Sequence, residues 1–173
     1  MKRIAQFMKV SFEQYCKDMA ETKEFKNAGW DFYKESYDNI TLPKRATMGS
    51  AGYDFFIPFT IFIEAHSEMI IPSGIRCKIN DGWVLTTYPR SGLGYRYRLS
   101  LANTVGIIDS DYYDANNEGH IIFKLINNSD NNLTIDRDKG YAQGIFIEYG
   151  ITFDDNATEK RIGGFGSTSN EKK

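Results

Sequence analysis

The chain has 173 residues, 41% of them hydrophobic and 25% charged, with a formal net charge of -2 at pH 7. Such a length suits one well-cored domain, and the composition is that of an ordinary soluble globular protein. The near-neutral charge excludes a broad basic surface for nucleic acid, so a polyanion must be met at a small local site or through a metal.

Residues 2–10 alternate well enough for a strand, with Ile4, Met8 and Val10 on one face. Ser11-Phe12-Glu13-Gln14 has the form of a capping box and predicts a short helix to about residue 20. Residues 21–39 are charged and aromatic, with Trp30, Phe32, Tyr33 and Tyr37, and predict an ordered excursion packed on the domain. From Ile40 the texture is β. Short apolar runs recur at 55–63, 68–71, 74–79, 83–88, 120–126, 133–135 and 142–151, separated by Pro, Gly, Asn and Asp turn chemistry. Many short strands at this spacing predict an all-β sandwich or barrel. The tail beyond residue 155 loses the apolar pattern and reads as a mobile arm. No apolar run approaches the roughly 18 residues of a membrane span, and neither a leader nor a membrane partner is expected. Cys16 and Cys77 lie far apart and are expected as free thiols in a reducing cytoplasm. His66 and His120 are equally isolated, so no transition-metal site is expected.

Five motifs punctuate the β-textured region. Ala51-Gly52-Tyr53-Asp54 is a Gly-x-Asp turn, preceded by Pro43-Lys44-Arg45-Ala46. Pro89-Arg90-Ser91-Gly92 offers a hydroxyl and successive backbone N–H groups, the chemistry of an anion-binding concavity. Residues 99–112 run from an apolar stretch through Gly106 into Asp109-Ser110-Asp111-Tyr112, which predicts two short extended segments joined by a tight bend. Gly140-Tyr141-Ala142-Gln143 leads into another strand. Gly163-Gly164-Phe165-Gly166-Ser167-Thr168 has glycines that let an arm close, an aromatic that can stack on a base, and hydroxyls that can hold phosphate oxygens.

Together these motifs, in this order, resemble the homotrimeric dUTP pyrophosphatase (dUTPase) family in its bacterial and phage-like form, over most of 42–170. The resemblance implies a jelly-roll-like β domain over 1–158, including the excursion at about 11–39, and a flexible arm over 159–173 that closes over the site. It implies hydrolysis of dUTP to dUMP and pyrophosphate with Mg2+, at sites shared between subunits of a cytoplasmic homotrimer that binds no nucleic acid or membrane. Asp109 would be the general base for the attacking water, with Gln143 orienting that water or an α-phosphate oxygen. Asp54 would support Mg2+ through its water shell. Arg90, Ser91 and Gly92 would hold the phosphates. Residues Asn103 through Ile108 would form a hairpin reading the pyrimidine edge with backbone groups, Gly106 letting the base approach. Tyr112 would lie under the deoxyribose, Phe165 over the uracil, and Ser167 and Thr168 at the γ-phosphate.

The chain departs from the family pattern in places. A glycine expected two residues after the tyrosine is displaced by a lengthened loop, Tyr113 to Glu118, ahead of Gly119. Gly140 and Lys160 stand where the family carries arginines, with Arg161 next door, and Ser169 replaces a usual glycine. Two other readings stay open: a dCTP deaminase-like enzyme of the same fold, and a dUTPase-like nucleotide-gated binding protein using the excursion.

Overall fold

The computed structural model describes residues 2–159, 161 and 163; Phe165, Ser167 and Thr168, assigned to the arm, lie outside them. In chain order the elements are β1 (Ala5–Lys9), α1 (Phe12–Glu21), α2 (Trp30–Asp38), β2 (Lys44–Arg45), β3 (Tyr53–Phe56), β4 (Ile61–Ile63), β5 (Glu68–Pro72), β6 (Ile75–Ile79), β7 (Trp83–Pro89), α3 (Ser91–Tyr97), β8 (Leu99–Leu101), β9 (Gly106–Ile108), a 3-10 turn (Ser110–Asp114), β10 (Ile122–Asn127), β11 (Leu133–Ile135) and β12 (Gly140–Glu148). The largest sheet has the order β2-β3-β12-β7-β9, and the smaller ones pair β5-β10-β8, β4-β11 and β1-β6. Every ladder is antiparallel and most neighbours are distant in sequence, the signature of the expected all-β, jelly-roll-like barrel. β6 and β11 alternate buried apolar with more exposed polar residues, and the inner faces of the sheets bury Phe55, Ile63, Ile71, Leu85, Phe123 and Leu125. Among the described residues no helix is long and apolar enough to cross a membrane.

Several expectations are refined. The apolar run at 55–63 divides into β3 and β4, which belong to different sheets, because Pro58 has no N–H to donate to a ladder. The run at 142–151 begins earlier, at Gly140, and leaves the sheet after Glu148. The segment Asn103 to Ile108 is not a hairpin: β8 joins the β5-β10 sheet whereas β9 joins β7, so the bend at Asn103 and Thr104 carries the chain from one sheet to another. In β1, Phe7 faces Tyr53, Phe55 and Phe146 with ring centroids 5.4, 5.7 and 5.7 Å away. Met8, on the other face, meets the Tyr113 hydroxyl.

The excursion is ordered, as its aromatic density predicted. Ser11 caps α1 by accepting from the Gln14 N–H at 3.1 Å. The capping box is only half made, however. The Gln14 side chain turns inward to Asp18, and the Ser11 N–H donates instead to Glu118, far along the chain. The Tyr15 hydroxyl donates to Ser36 Oγ at 3.1 Å and the Tyr33 hydroxyl to the Phe25 carbonyl at 2.8 Å, tying α1, α2 and their connection together. Phe25 and Phe32 then pack on Phe59 of the barrel at 5.0 and 5.2 Å.

Candidate active site

The first group of predicted residues converges because β12 lies between β3 and β7. Asp54 on β3 is directly opposite Gln143 on β12, and Gln143 is opposite Tyr88 near the end of β7. The chain leaves β7 at Pro89, whose carbonyl accepts from Gln143 Nε2 at 3.1 Å. Arg90 follows at once and turns back, placing its Nε 3.2 Å from Asp54 Oδ1. The guanidinium lies against Gly140: a Cβ there would come within 2.7 Å of Arg90 Nη1 and 2.9 Å of its Cδ. Arg90 is the N-cap of α3, so the exposed Ser91 and Gly92 occupy the first turn, where backbone N–H groups have no intrahelical acceptor. One basic side chain, one carboxylate, one amide and a row of free donors thus share the end of the sheet.

The second group sits elsewhere. Ile108 pairs with Leu85 and its side chain is buried in the core; the exposed residue of β9 is Ile107. Gly106 pairs with Thr87, and a Cβ on Gly106 would overlap Thr87 Oγ1. Its lack of a side chain is therefore required by the sheet itself, before any ligand arrives. Asn103 is exposed at the bend. Asp109 follows β9, and its carboxylate takes an ion pair from Arg161 Nη1 at 3.1 Å, with Asp111 3.8 Å from the same nitrogen. The Arg161 guanidinium also lies over the Tyr112 ring, 5.2 Å from its centroid. Tyr112 is buried, its hydroxyl donating to the His120 carbonyl at 2.8 Å and accepting from Asn117 at 2.9 Å. Burial raises the Tyr112 phenol above its ordinary range, so it acts as a neutral hydrogen-bonding group.

Register sets the separation of the two groups. Asp109, one residue beyond the Leu85–Ile108 pair, is level with Val84, whereas Arg90 lies past the opposite end of β7. Six residues of strand separate those levels, about 20 Å. One chain therefore brings Asp54, Arg90, Ser91, Gly92 and Gln143 together, and holds Asp109 and Tyr112 apart from them.

Sequence reasoning did not find three residues that shape these groups. Gly140 reads as a missing arginine but is the space Arg90 occupies. Glu118 reads as a loop residue but accepts from both the N–H (2.7 Å) and the hydroxyl (2.6 Å) of Ser11. His120 reads as isolated but is fully buried against Asp18. The partners lie too far apart in sequence for any linear spacing to reveal them.

Among the described residues no cluster of three or more His, Cys, Asp or Glu could hold a metal ion unaided. Asp54, with one carboxylate oxygen already turned to Arg90, fits a cation that keeps its waters and takes most of its ligands from a bound phosphate chain.

A family model, dUTPase, matches residues 38–169. A deoxyuridine 5'-triphosphate nucleotidohydrolase of Lactococcus lactis subsp. lactis is 36% identical over 148 residues, covering 84% of this chain and 92% of that protein. The same-named protein of Glaesserella parasuis is 35% identical over 138 residues, covering 75% and 88%. Among solved structures, the dUTPase from Streptococcus mutans superposes with a TM-score of 0.59 at 34% identity, covering 66% of this chain and 90% of that one. A point-mutant dUTPase from phage phi11 of S. aureus, described with a structural Mg(II) ion, superposes with a TM-score of 0.62 over 91% of this chain and 98% of its own. At 17% identity that likeness concerns the fold.

Proposed function

Because the chain belongs to the dUTPase family, we infer that it is a dUTP diphosphatase, hydrolysing dUTP to dUMP and pyrophosphate. The observation that carries the site assignment is the convergence of Asp54, Arg90 and Gln143 beside the open first turn of α3. Ser91 and the N–H groups of that turn receive the phosphates, and Arg90 adds positive charge while it fixes Asp54. Asp109 takes the proton of a water as the water's oxygen attacks the α-phosphorus; the bond to the α–β bridging oxygen breaks and pyrophosphate leaves. Gln143, held at the Pro89 carbonyl, orients that water or an α-phosphate oxygen. Backbone groups of residues 103–108 read the pyrimidine edge, and Tyr112 supports the deoxyribose and leaves no room for a 2′-hydroxyl. Mg2+ bound to the triphosphate would neutralise its charge and fix its conformation, with Asp54 contacting the metal's waters. Catalysis of this kind is mostly positioning and charge stabilisation.

The 20 Å scale separation between the two groups supports a shared site, with Asp109 delivered by one copy of the chain to the Asp54 group of another. A homotrimer provides three such sites by closed symmetry. Arg161, 3.1 Å from Asp109, adds positive charge beside that carboxylate. Free Cys16 and Cys77 suit the cytoplasmic location this reading implies.

The test is pyrophosphate release from a panel of deoxynucleoside triphosphates with Mg2+. A site that hydrogen-bonds one base edge rejects a mismatched one by about 10^4-fold, so dUTP should far outrun dCTP. The 5-methyl of dTTP should be rejected by the backbone of 103–108. Equal rates on dUTP and dTTP, or ammonia release from dCTP without pyrophosphate, would overturn the assignment.

A further inference from the structure

Residues 11–39 precede nearly all of the family match, and the loop Tyr113 to Glu118 follows directly on the Asp109–Tyr112 segment. The structure binds these two segments to each other. Glu118 closes the N-terminus of α1 through two hydrogen bonds to Ser11. Two residues on, the fully buried His120 meets Asp18 in the next turns of the same helix, with Nδ1 2.5 Å from Oδ2. The Gly74 N–H donates to His120 Nε2 at 2.7 Å, so that nitrogen is the acceptor and Nδ1 carries the proton toward Asp18. Gln14 supports the same carboxylate oxygen at 2.9 Å. Arg76 holds the same loop, donating to the Tyr113 carbonyl at 2.6 Å, lying 3.7 Å over the Tyr113 ring and 3.8 Å from Glu118.

The same loop carries the site. The Tyr112 hydroxyl ends on the His120 carbonyl, and the Tyr112 N–H ends on the Asp109 carbonyl at 3.2 Å. Gly119, at φ +69°, folds the chain so tightly that a Cβ there would lie 2.6 Å from the Tyr112 carbonyl oxygen. A continuous hydrogen-bonded path therefore runs Gln14–Asp18–His120–Tyr112–Asp109, from a helix outside the catalytic groups to the residues that face substrate. We propose that α1 is a positioning element for the Asp109–Tyr112 segment, and that Asp18 and His120 are its positioning residues. The proposal rests on the assignment of Asp109 and Tyr112 given above. The excursion and the 113–118 loop are then two halves of one brace. Neither half satisfies its polar groups without the other: α1 loses its N-terminal acceptor and a buried carboxylate loses its donor.

The experiment uses the full chain with Asp18→Asn, and separately Glu118→Gln, which changes a partly exposed group and leaves the core intact. Two quantities are read. Amide hydrogen exchange follows the bonded N–H groups of Tyr112, Ala115, Glu118 and His120. Steady-state kinetics on dUTP separates kcat from KM. Asp18→Asn should speed exchange in 110–120 by about tenfold or more while the β3-β12-β7 ladders keep parental rates. It should lower kcat by about tenfold with KM near the parental value, because a small misplacement at the reacting atoms acts on the transition state. Glu118→Gln should do both to a smaller degree. Parental exchange in 110–120 in both variants, or acceleration spread evenly over all the sheets, would overturn the brace. Faster local exchange with parental kcat would make it purely architectural and overturn the positioning role. A parental chain that released no pyrophosphate from dUTP would instead overturn the functional reading, leaving the exchange measurement to decide the brace.

Discussion

Gly140 and Arg90 share one volume. Read along the chain, Gly140 is the site's missing arginine; in three dimensions the Arg90 side chain lies across it and reaches Asp54. A positive charge is thus kept beside the carboxylate, supplied from the β7 end and not from β12. The consequence is testable. Gly140→Arg puts a side chain where the Arg90 guanidinium lies, so Arg90 must shift from its place beside Asp54. Activity on dUTP should fall by about tenfold, since on the proposed assignment the displaced group positions phosphate, and the double variant Gly140→Arg with Arg90→Ala should recover part of the loss. An active single variant would show that Arg90 has no positioning duty. The motif residues Asp54, Arg90 and Gln143 were legible because each sits in a local pattern. Their mutual contacts were not, because strand pairing, not sequence spacing, makes them.

At the scale of elements, the capping box of α1 was legible in its first half and misleading in its second. Ser11 does cap Gln14, but the reciprocal partner is Glu118, more than 100 residues away, and Gln14 is spent on Asp18. In the same way the bend at 103–104 was visible as turn chemistry, whereas the two sheets it joins were not, since three-residue strands carry too little pattern to name their partners. The Ser11–Glu118 junction makes a pH prediction. Burial alone would raise the Glu118 carboxyl, but the Ser11 hydroxyl and N–H, with Arg76, outweigh it and hold it below its ordinary 4.5. A carboxyl whose folded pKa is depressed stabilises the fold above its unfolded pKa, and that stabilisation is lost as pH falls through the folded value. Thermal midpoints of the parental chain and Glu118→Gln should therefore differ at neutral pH and converge as pH drops below 4.5. Curves that stay parallel into acid would mean that the Glu118 charge contributes nothing.

For the whole molecule, the antiparallel register of β7 separates the two groups that the proposed reaction needs together. The five-stranded sheet was legible only as a set of short β runs; its order, β2-β3-β12-β7-β9, is what sends Arg90 to one end and Asp109 to the other. No side chain spans the resulting gap of about 20 Å, so the proposed mechanism needs Asp109 of one copy to serve a phosphate held at Ser91 of another. Two inactive chains should consequently repair each other. Asp54→Asn chains retain Asp109, and Asp109→Asn chains retain the Asp54 group. In randomly mixed oligomers each shared site draws its two halves independently, so about a quarter of the sites combine an intact Asp54 with an intact Asp109. After subunit exchange, verified by mass spectrometry of differently tagged chains, pyrophosphate release from dUTP should rise from the level of either parent to about a quarter of the unmodified protein's. If exchange is complete and the mixture remains as inactive as its components, each chain must close the site on itself. The Asp109 loop would then have to reach the Asp54 group within one copy, and the shared-site architecture would be wrong for this protein.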